Sequence, residues 1–208
     1  LGDFVKKLTK EGRGFLRGRS CGNIAKLAEI DQRLDKLRNC SKLMSQNEEV
    51  ADKVKSEINE FIRDMKKFSD DKMSDISKIL KNDKEKLIDN SMVESFKEGQ
   101  IWLQELKKVE SVRHSIEYHE ETISNLLSTY FRSQEDQLAN NKGASSKDPK
   151  ELMKNFEIIQ NTIKRISAIA QYGGEDIVAE ANKLKENVLT ELQDVTPRLV
   201  ESFSVNAR

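Results

Sequence analysis

A regular apolar stripe runs through the middle of this chain, from Ile101 to Leu138. Its members lie three, four or seven residues apart, and the positions between them are mostly charged or polar. This spacing places the apolar side chains on one side of a long helix. The stripe consists of Trp102, Leu106, Val109, Ile116, Ile123, Leu127 and Tyr130. A single helix cannot shield such a stripe from water, so the chain is predicted to fold as an all-α bundle.

The composition favours a slender bundle over a compact globule. Charged residues make up 35% of the 208 residues, against about 25% in an average globular protein. Only 36% of the residues are hydrophobic, and there are two prolines. A slender bundle has more surface per residue and therefore needs this balance. The net charge of zero and the periodic apolar residues argue against disorder.

Three long helices are predicted, over about residues 24–68, 70–139 and 149–205, with a boundary at Ser69–Asp71. The first carries a seven-residue apolar repeat, which favours nearly aligned helices with a left-handed supercoil. The third starts at Asp148, an N-cap that is followed by Pro149 at the first helical position. Kinks are predicted at residues 45–48, 89–91, 172–174 and 196–197. The resulting architecture is an elongated antiparallel coiled coil of three kinked helices.

The N-terminal 23 residues form a separate basic segment in this prediction, ahead of one bundle domain over residues 24–208. Leu1–Lys10 reads as a short amphipathic helix, with Leu1, Phe4, Val5 and Leu8 on one face. Residues 11–23 hold four of the nine glycines, so they are predicted to form a flexible connector. Basic residues outnumber acidic ones here: Lys6, Lys7, Lys10, Arg13, Arg17 and Arg19 against Asp3 and Glu11.

The residue types that support catalysis or metal binding have no supporting arrangement in the sequence. His114 and His119 are five apart and miss the spacing that puts two ligands on one helical face, so both are predicted to be surface residues. No nucleophilic side chain is accompanied by a recognisable general base. The arginines among the N-terminal glycines lack the aromatic residues on which nucleic-acid bases would stack. Neither enzyme activity, a cofactor, a metal nor a nucleic-acid partner is predicted.

Compartment is indicated by the cysteines and by the absence of long apolar runs. Cys21 and Cys40 would be about 28 Å apart on one straight helix, too far for a disulfide. Two reduced thiols in a reducing compartment are therefore predicted. No apolar run reaches membrane-spanning length. Trp102 and the Phe and Met residues at helical spacing are predicted to be core residues.

The layout of long helices resembles the BAR-domain superfamily, whose members are three long antiparallel helices with kinks in the second and third. The resemblance implies a crescent-shaped dimer that binds curved membranes. Leu1–Lys10 is similar to the N-terminal amphipathic helix of some members, and residues 140–150 are similar to their tip loop. The glycine-rich connector and the acidic last helix depart from the pattern. No residue motif of the superfamily is matched.

The function predicted from these features is a non-enzymatic membrane-binding or membrane-shaping scaffold, cytoplasmic and peripheral to anionic membranes. It is expected to self-associate through a leftover apolar stripe, forming a homodimer or binding another helical protein. The lipid-contact residues are predicted to be Leu1, Phe4, Val5, Lys6, Lys7, Leu8, Lys10, Arg13, Phe15, Leu16, Arg17, Arg19, Lys142, Lys147 and Lys150.

Two alternatives stay open at this point. One is a helical protein–protein interaction module, cytoskeletal, tethering or adaptor in kind, without lipid affinity. The other is a secreted or surface-exposed helical protein of a pathogen, which the sequence neither supports nor excludes.

Overall fold

The structure is a computed structural model of the chain. It describes residues 1–18, 21–43, 48–82, 90–140, 148–171 and 173–206. Within these ranges the chain is all-α, as predicted. The helices are α1 (Gly2–Arg17), α2 (Ala25–Leu43), α3 (Glu48–Asn82), α4 (Asn90–Leu106), α5 (Arg113–Asn140), α6 (Pro149–Ala170) and α7 (Glu175–Asn206), with 3-10 helices at Cys21–Asn23 and Glu110–Val112.

The first helix is longer than its glycines indicate. The predicted flexible connector over residues 11–23 is wrong as far as Arg17, because α1 continues through Gly12 and Gly14. Each glycine inside a helix costs about 1 kcal/mol relative to alanine. Gly12 is buried in the contact with α3, so tertiary packing offsets the local cost. Arg19 lies outside the described residues.

The predicted turn at Ser69–Asp71 is also wrong, since α3 runs through it without interruption. Ser69 is fully buried, and its hydroxyl donates to the Lys66 carbonyl one turn earlier in the same helix. This bond satisfies the buried hydroxyl without interrupting the helix. Asp70 accepts a hydrogen bond from His119, and this contact ties α3 to α5.

The predicted continuous helix over residues 70–139 is broken between α4 and α5. The ion pair between Lys107 and Glu120 has a Nζ–Oε2 distance of 2.6 Å. Residues 13 positions apart on a straight helix would be about 20 Å apart along its axis, so the chain turns back here. Asp31 of α2 stabilises the restart, because its carboxylate accepts hydrogen bonds from the Ser111 backbone N–H and from the Ser111 hydroxyl.

The start of α6 matches the prediction. The Asp148 side chain accepts a hydrogen bond from the Lys150 N–H, and Pro149 follows the cap. Helices α6 and α7 are separated at residues 171–174, where a kink was predicted. Helix α7 then continues past Pro197 to Asn206 without a restart. The kinks predicted at residues 45–48 and 89–91 fall at the edges of ranges outside the described residues.

The chain divides into two compact units. Unit 1 comprises residues 1–75 and 98–121, and unit 2 comprises residues 76–97 and 122–208. Unit 1 therefore includes the N-terminal segment that the sequence had set apart. Its largest buried side chains are Phe61 and Trp102, and those of unit 2 are Phe96, Tyr130 and Phe131. The burial of Trp102 confirms its prediction as a core residue.

Candidate functional site

Two residues of the predicted apolar face of α1 are packed inside unit 1. Val5 and Leu8, two predicted lipid contacts, are 0% and 4% exposed. A Cβ atom built on Gly12 would lie 2.3 Å from Cζ of Phe61 on α3. The glycine therefore lets the backbone of α1 approach the Phe61 ring more closely than any other residue allows. Insertion of Val5 and Leu8 into lipid would first require α1 to leave this position.

A cluster of polar residues, which we call the Arg13 cluster, fixes the same helix to α3. Arg13 Nε lies 2.7 Å from Asp64 Oδ2, and Arg13 Nη1 lies 2.7 Å from Glu57 Oε1. Glu60 Oε2 is 3.9 Å from Arg13 Nη2. The buried Thr9 hydroxyl donates to Glu57 Oε1 at 2.6 Å. Arg13, also predicted to contact lipid, is thus engaged by three carboxylates of its own unit.

The electrostatics of the Arg13 cluster follow from these bonds. The Thr9 hydroxyl and then Arg13 lower the pKa of Glu57, and together they outweigh the raising effect of its partial burial. The hydrogen bond with Asp64 and the bond and charge of Glu57 raise the pKa of Arg13. Both groups are therefore stabilised in their charged forms, and the cluster persists at neutral pH.

The side of α1 that faces away from the bundle, which we call the outer face, is basic. Lys6, Lys7, Lys10 and Arg17 are all exposed. Phe4 is 51% exposed and Leu1 is 44% exposed, so two apolar side chains stay accessible near the start of the helix. The structure therefore separates the predicted site into buried anchors and an accessible basic face.

The remaining predicted contact residues are placed as follows. Phe15 and Leu16 are half-buried, and Lys26 Nζ lies 5.5 Å from the centre of the Phe15 ring. Lys150 is exposed at the start of α6 in unit 2. Lys142 and Lys147 lie outside the described residues. A single lipid-binding surface that includes the tip loop therefore stays a prediction.

The two histidines differ in their surroundings. His114 is exposed beside Glu117, as predicted. The prediction for His119 is wrong, since it is 7% exposed and its Nε2 atom lies 2.9 Å from Asp70 Oδ1. In the part of the chain that the structure describes, no three His, Cys, Asp or Glu side chains are placed to hold a metal ion. Cys40 is a free and exposed thiol.

One exposed apolar surface of unit 2 was not predicted from the sequence. Phe203 at the end of α7 is among the Phe residues that were predicted to be core residues. The structure buries Val188, but it leaves Leu189, Val200 and Phe203 exposed by 39%, 61% and 52%. The relative lengths of α6 and α7 carry the signal for this exposure. Helix α7 has 32 residues and α6 has 22, so α7 is longer than the helix packed beside it.

Comparisons with known proteins leave the chain unassigned. No family model matches it, and neither a curated protein nor a solved structure is significantly similar to it. Among the described residues, no helix is long and apolar enough to cross a membrane. Any function must therefore be argued from the surfaces themselves.

Proposed function

We propose that this chain is a non-enzymatic scaffold that docks on anionic membrane surfaces through the outer face of α1. The observation that carries the proposal is the exposure of Lys6, Lys7, Lys10 and Arg17 on one helix whose other side is fixed to the bundle. A basic residue near an anionic leaflet contributes about 1 kcal/mol to binding. Four such residues, partly offset by Asp3 and Glu11, support reversible attachment.

The mode of attachment is docking with shallow anchoring. Val5 and Leu8 are buried, so the helix does not offer its whole apolar face to lipid. Leu1 and Phe4 remain accessible at its N-terminal end, where they anchor in the headgroup region. The proposal keeps the BAR-like dimer of elongated helices as its finer form, cytoplasmic and peripheral to membranes. The break between α4 and α5 is a departure from that form.

The experiment is co-sedimentation with anionic and neutral vesicles across a salt series, with a control for self-pelleting. The test variant is Lys6→Glu, Lys7→Glu and Lys10→Glu combined. The matched control combines Lys55→Glu, Lys66→Glu and Lys67→Glu, three exposed lysines of α3. Both variants change the net charge equally, and circular dichroism establishes that both are folded. Only the position of the charge change differs between them.

The proposal predicts binding of the wild-type chain to anionic vesicles at about 50 mM salt and its loss near 500 mM, where charges are screened beyond about 4 Å. The α1 variant loses binding and the α3 control keeps it. Absence of wild-type binding at low salt would refute the proposal. Equal loss in both variants would show that only overall charge matters, and it would remove the role of α1.

A second candidate function is a helical protein-interaction module without lipid affinity. The specific observation in its favour is the burial of Val5 and Leu8, because it leaves few apolar residues of α1 for a membrane. In this case vesicle binding is absent at all salt concentrations, and the apolar end of α7 is the contact surface. Affinity capture that survives the α1 triple variant but not Phe203→Asp would support it.

A further inference from the structure

The contact that holds α1 on unit 1 combines few apolar side chains with charges that water reaches. The buried residues of α1 are Val5, Leu8, Thr9 and Gly12, so only two of them carry an aliphatic side chain. The Arg13 side chain is 28% exposed, and those of its three carboxylate partners are 20–53% exposed. Ion pairs in contact with water each contribute little to stability. The contact is therefore one that a competing surface can replace.

The helix also depends on this contact for part of its own stability. Gly2, Gly12 and Gly14 all lie within α1, and glycine weakens an isolated helix. After Arg17 the helix stops, because the backbone of Gly18 is extended. The next helical turn begins only at residue 21. A rotation about the backbone of Gly18 would therefore move α1 without breaking α2.

The apolar residues of α1 suit a membrane as well as the bundle. Leu1 and Phe4 are 44% and 51% exposed, whereas Val5 and Leu8 are buried. The spacing of these four residues places them on one face of the helix. Val5 and Leu8 cannot pack on protein and on lipid at the same time, so burial of the whole face in lipid requires α1 to leave α3. Arg13 then exchanges carboxylates for headgroup phosphates, which accept the same hydrogen bonds.

We infer that the Arg13 cluster is a clamp that holds α1 on the bundle, and that an anionic membrane opens it. This inference rests on the proposed docking of the outer face, which brings α1 to the membrane while the clamp is closed. A membrane that contacts the released helix more extensively shifts the equilibrium toward release. Val5 and Leu8 then enter the headgroup region. The clamp thus sets the balance between attachment that fades with salt and deeper attachment that resists it.

The test compares two arginines of α1 that differ in their contacts. Arg13→Gln and Arg17→Gln each remove one positive charge from the helix, but only Arg13 belongs to the clamp, whereas Arg17 is exposed. A second variant, Asp64→Asn, opens the clamp from the side of α3, and its control of equal charge is the exposed Asp71→Asn. Circular dichroism establishes that all four variants are folded.

Two measurements are made on each full-length variant. Co-sedimentation with vesicles of mixed phosphatidylcholine and phosphatidylserine is carried out at about 50 mM and about 500 mM salt, so that electrostatic binding is screened in the second case. A sample without vesicles controls for self-pelleting. Amide hydrogen exchange of residues 5–12 without vesicles reports the release of α1 independently of lipid.

Arg13→Gln is expected to bind the vesicles about tenfold more tightly than wild type at about 500 mM salt. Electrostatic docking alone predicts the reverse, because the variant has lost a positive charge. The amides of residues 5–12 are expected to exchange about tenfold faster in Arg13→Gln. Asp64→Asn changes both quantities in the same direction. Arg17→Gln and Asp71→Asn keep the exchange rates of the wild-type chain, and neither gains binding that resists salt.

Two outcomes would overturn the inference. One is unchanged exchange in Arg13→Gln, because the cluster would then not hold the helix. The other is faster exchange without tighter binding, because release would then not lead to lipid. Failure of the proposed function is a separate result, the absence of wild-type binding at about 50 mM salt. If Arg13→Gln nevertheless bound, the clamp would be supported and docking through the outer face refuted.

Discussion

Helix α1 and the end of α7 are both amphipathic, but they differ in how far their apolar side chains are buried. In α1, Val5 and Leu8 are buried, whereas Lys6, Lys7 and Lys10 are exposed. At the end of α7, Val200 and Phe203 are exposed, and no residue between 189 and 204 is fully buried. The sequence predicts the reverse for two of these residues, with Val5 in contact with lipid and Phe203 in the core. Amphipathicity shows that a helix has an apolar face, but not what covers it.

The difference between the two helices lies in what faces each of them. Helix α1 has a close contact, made where Gly12 meets Phe61, and a charged cluster around Arg13. The end of α7 extends beyond the length of α6. The local sequence therefore predicts that both segments are amphipathic helices. Their tertiary contacts determine which of the two apolar faces is buried.

The largest expected effect comes from removing the same side chain in both regions. Leu8→Ala leaves a cavity in unit 1 and is expected to cost about 2–4 kcal/mol of the free energy of unfolding. Leu189→Ala removes a partly exposed side chain and is expected to change it by less than about 0.5 kcal/mol. Urea unfolding followed by circular dichroism measures both. Fluorescence of Trp102, the chain's one tryptophan, reports unit 1 separately. Equal losses of unfolding free energy would show that Leu8 is packed no better than Leu189.

A second comparison lies within α1, between two of its glycines. Gly12→Ala forces its new methyl group into Phe61 and is expected to destabilise unit 1 by about 1–3 kcal/mol. Gly14→Ala meets nothing within 4 Å, so it is expected to stabilise α1 by up to about 1 kcal/mol through helix propensity. Thermal unfolding of the two variants shows directly whether each substitution stabilises or destabilises the chain. Stabilisation by both would mean that α1 does not approach α3 closely.

The smallest expected effect is a pH dependence of α1 docking. The pKa of Glu57 is lowered in the folded chain, so its contribution to stability is present at neutral pH. That contribution is lost as the pH falls below 4.5, its ordinary pKa, and through the folded value. Glu57→Gln is expected to cost about 1 kcal/mol at pH 7, and this difference from wild type shrinks in acid.

The matched control for the pH experiment is Glu60→Gln, because Glu60 is 3.9 Å from Arg13 and more exposed than Glu57. Its stability should follow that of the wild-type chain at every pH. Urea midpoints from pH 7 down to pH 3 provide the measurement. A constant difference between Glu57→Gln and wild type across this range would show that Glu57 does not titrate as the structure requires.

The predictable parts of this fold were those with local causes. The all-α class follows from helical periodicity, and the start of α6 follows from Asp148 and Pro149, which act on their own neighbours. The break between α4 and α5 was not predictable in this way. It depends on Asp31, which is 80 residues away from Ser111. A helix start stabilised by a distant helix leaves no signal at the point where the chain turns.

The candidate site likewise has features with local causes and features that depend on distant residues. The basic character of α1 can be read from Lys6, Lys7 and Lys10, and their exposure agrees with it. The engagement of Arg13 by Glu57 and Asp64 joins residues 44 and 51 positions apart. No local pattern distinguishes an arginine that holds a helix in place from one that is free for lipid. The exposure of the end of α7 likewise follows from the relative lengths of two helices.

Amide hydrogen exchange is the most direct measurement of the difference between α1 and the end of α7. The backbone amides of residues 8–13 and 192–203 would be compared within one dilute sample. Burial protects amides against local opening, whereas an uncovered helix end frays. We predict exchange at least about tenfold slower in residues 8–13. Equal rates, or faster exchange in α1, would contradict the claim that α1 is fixed to its unit while the end of α7 lies open.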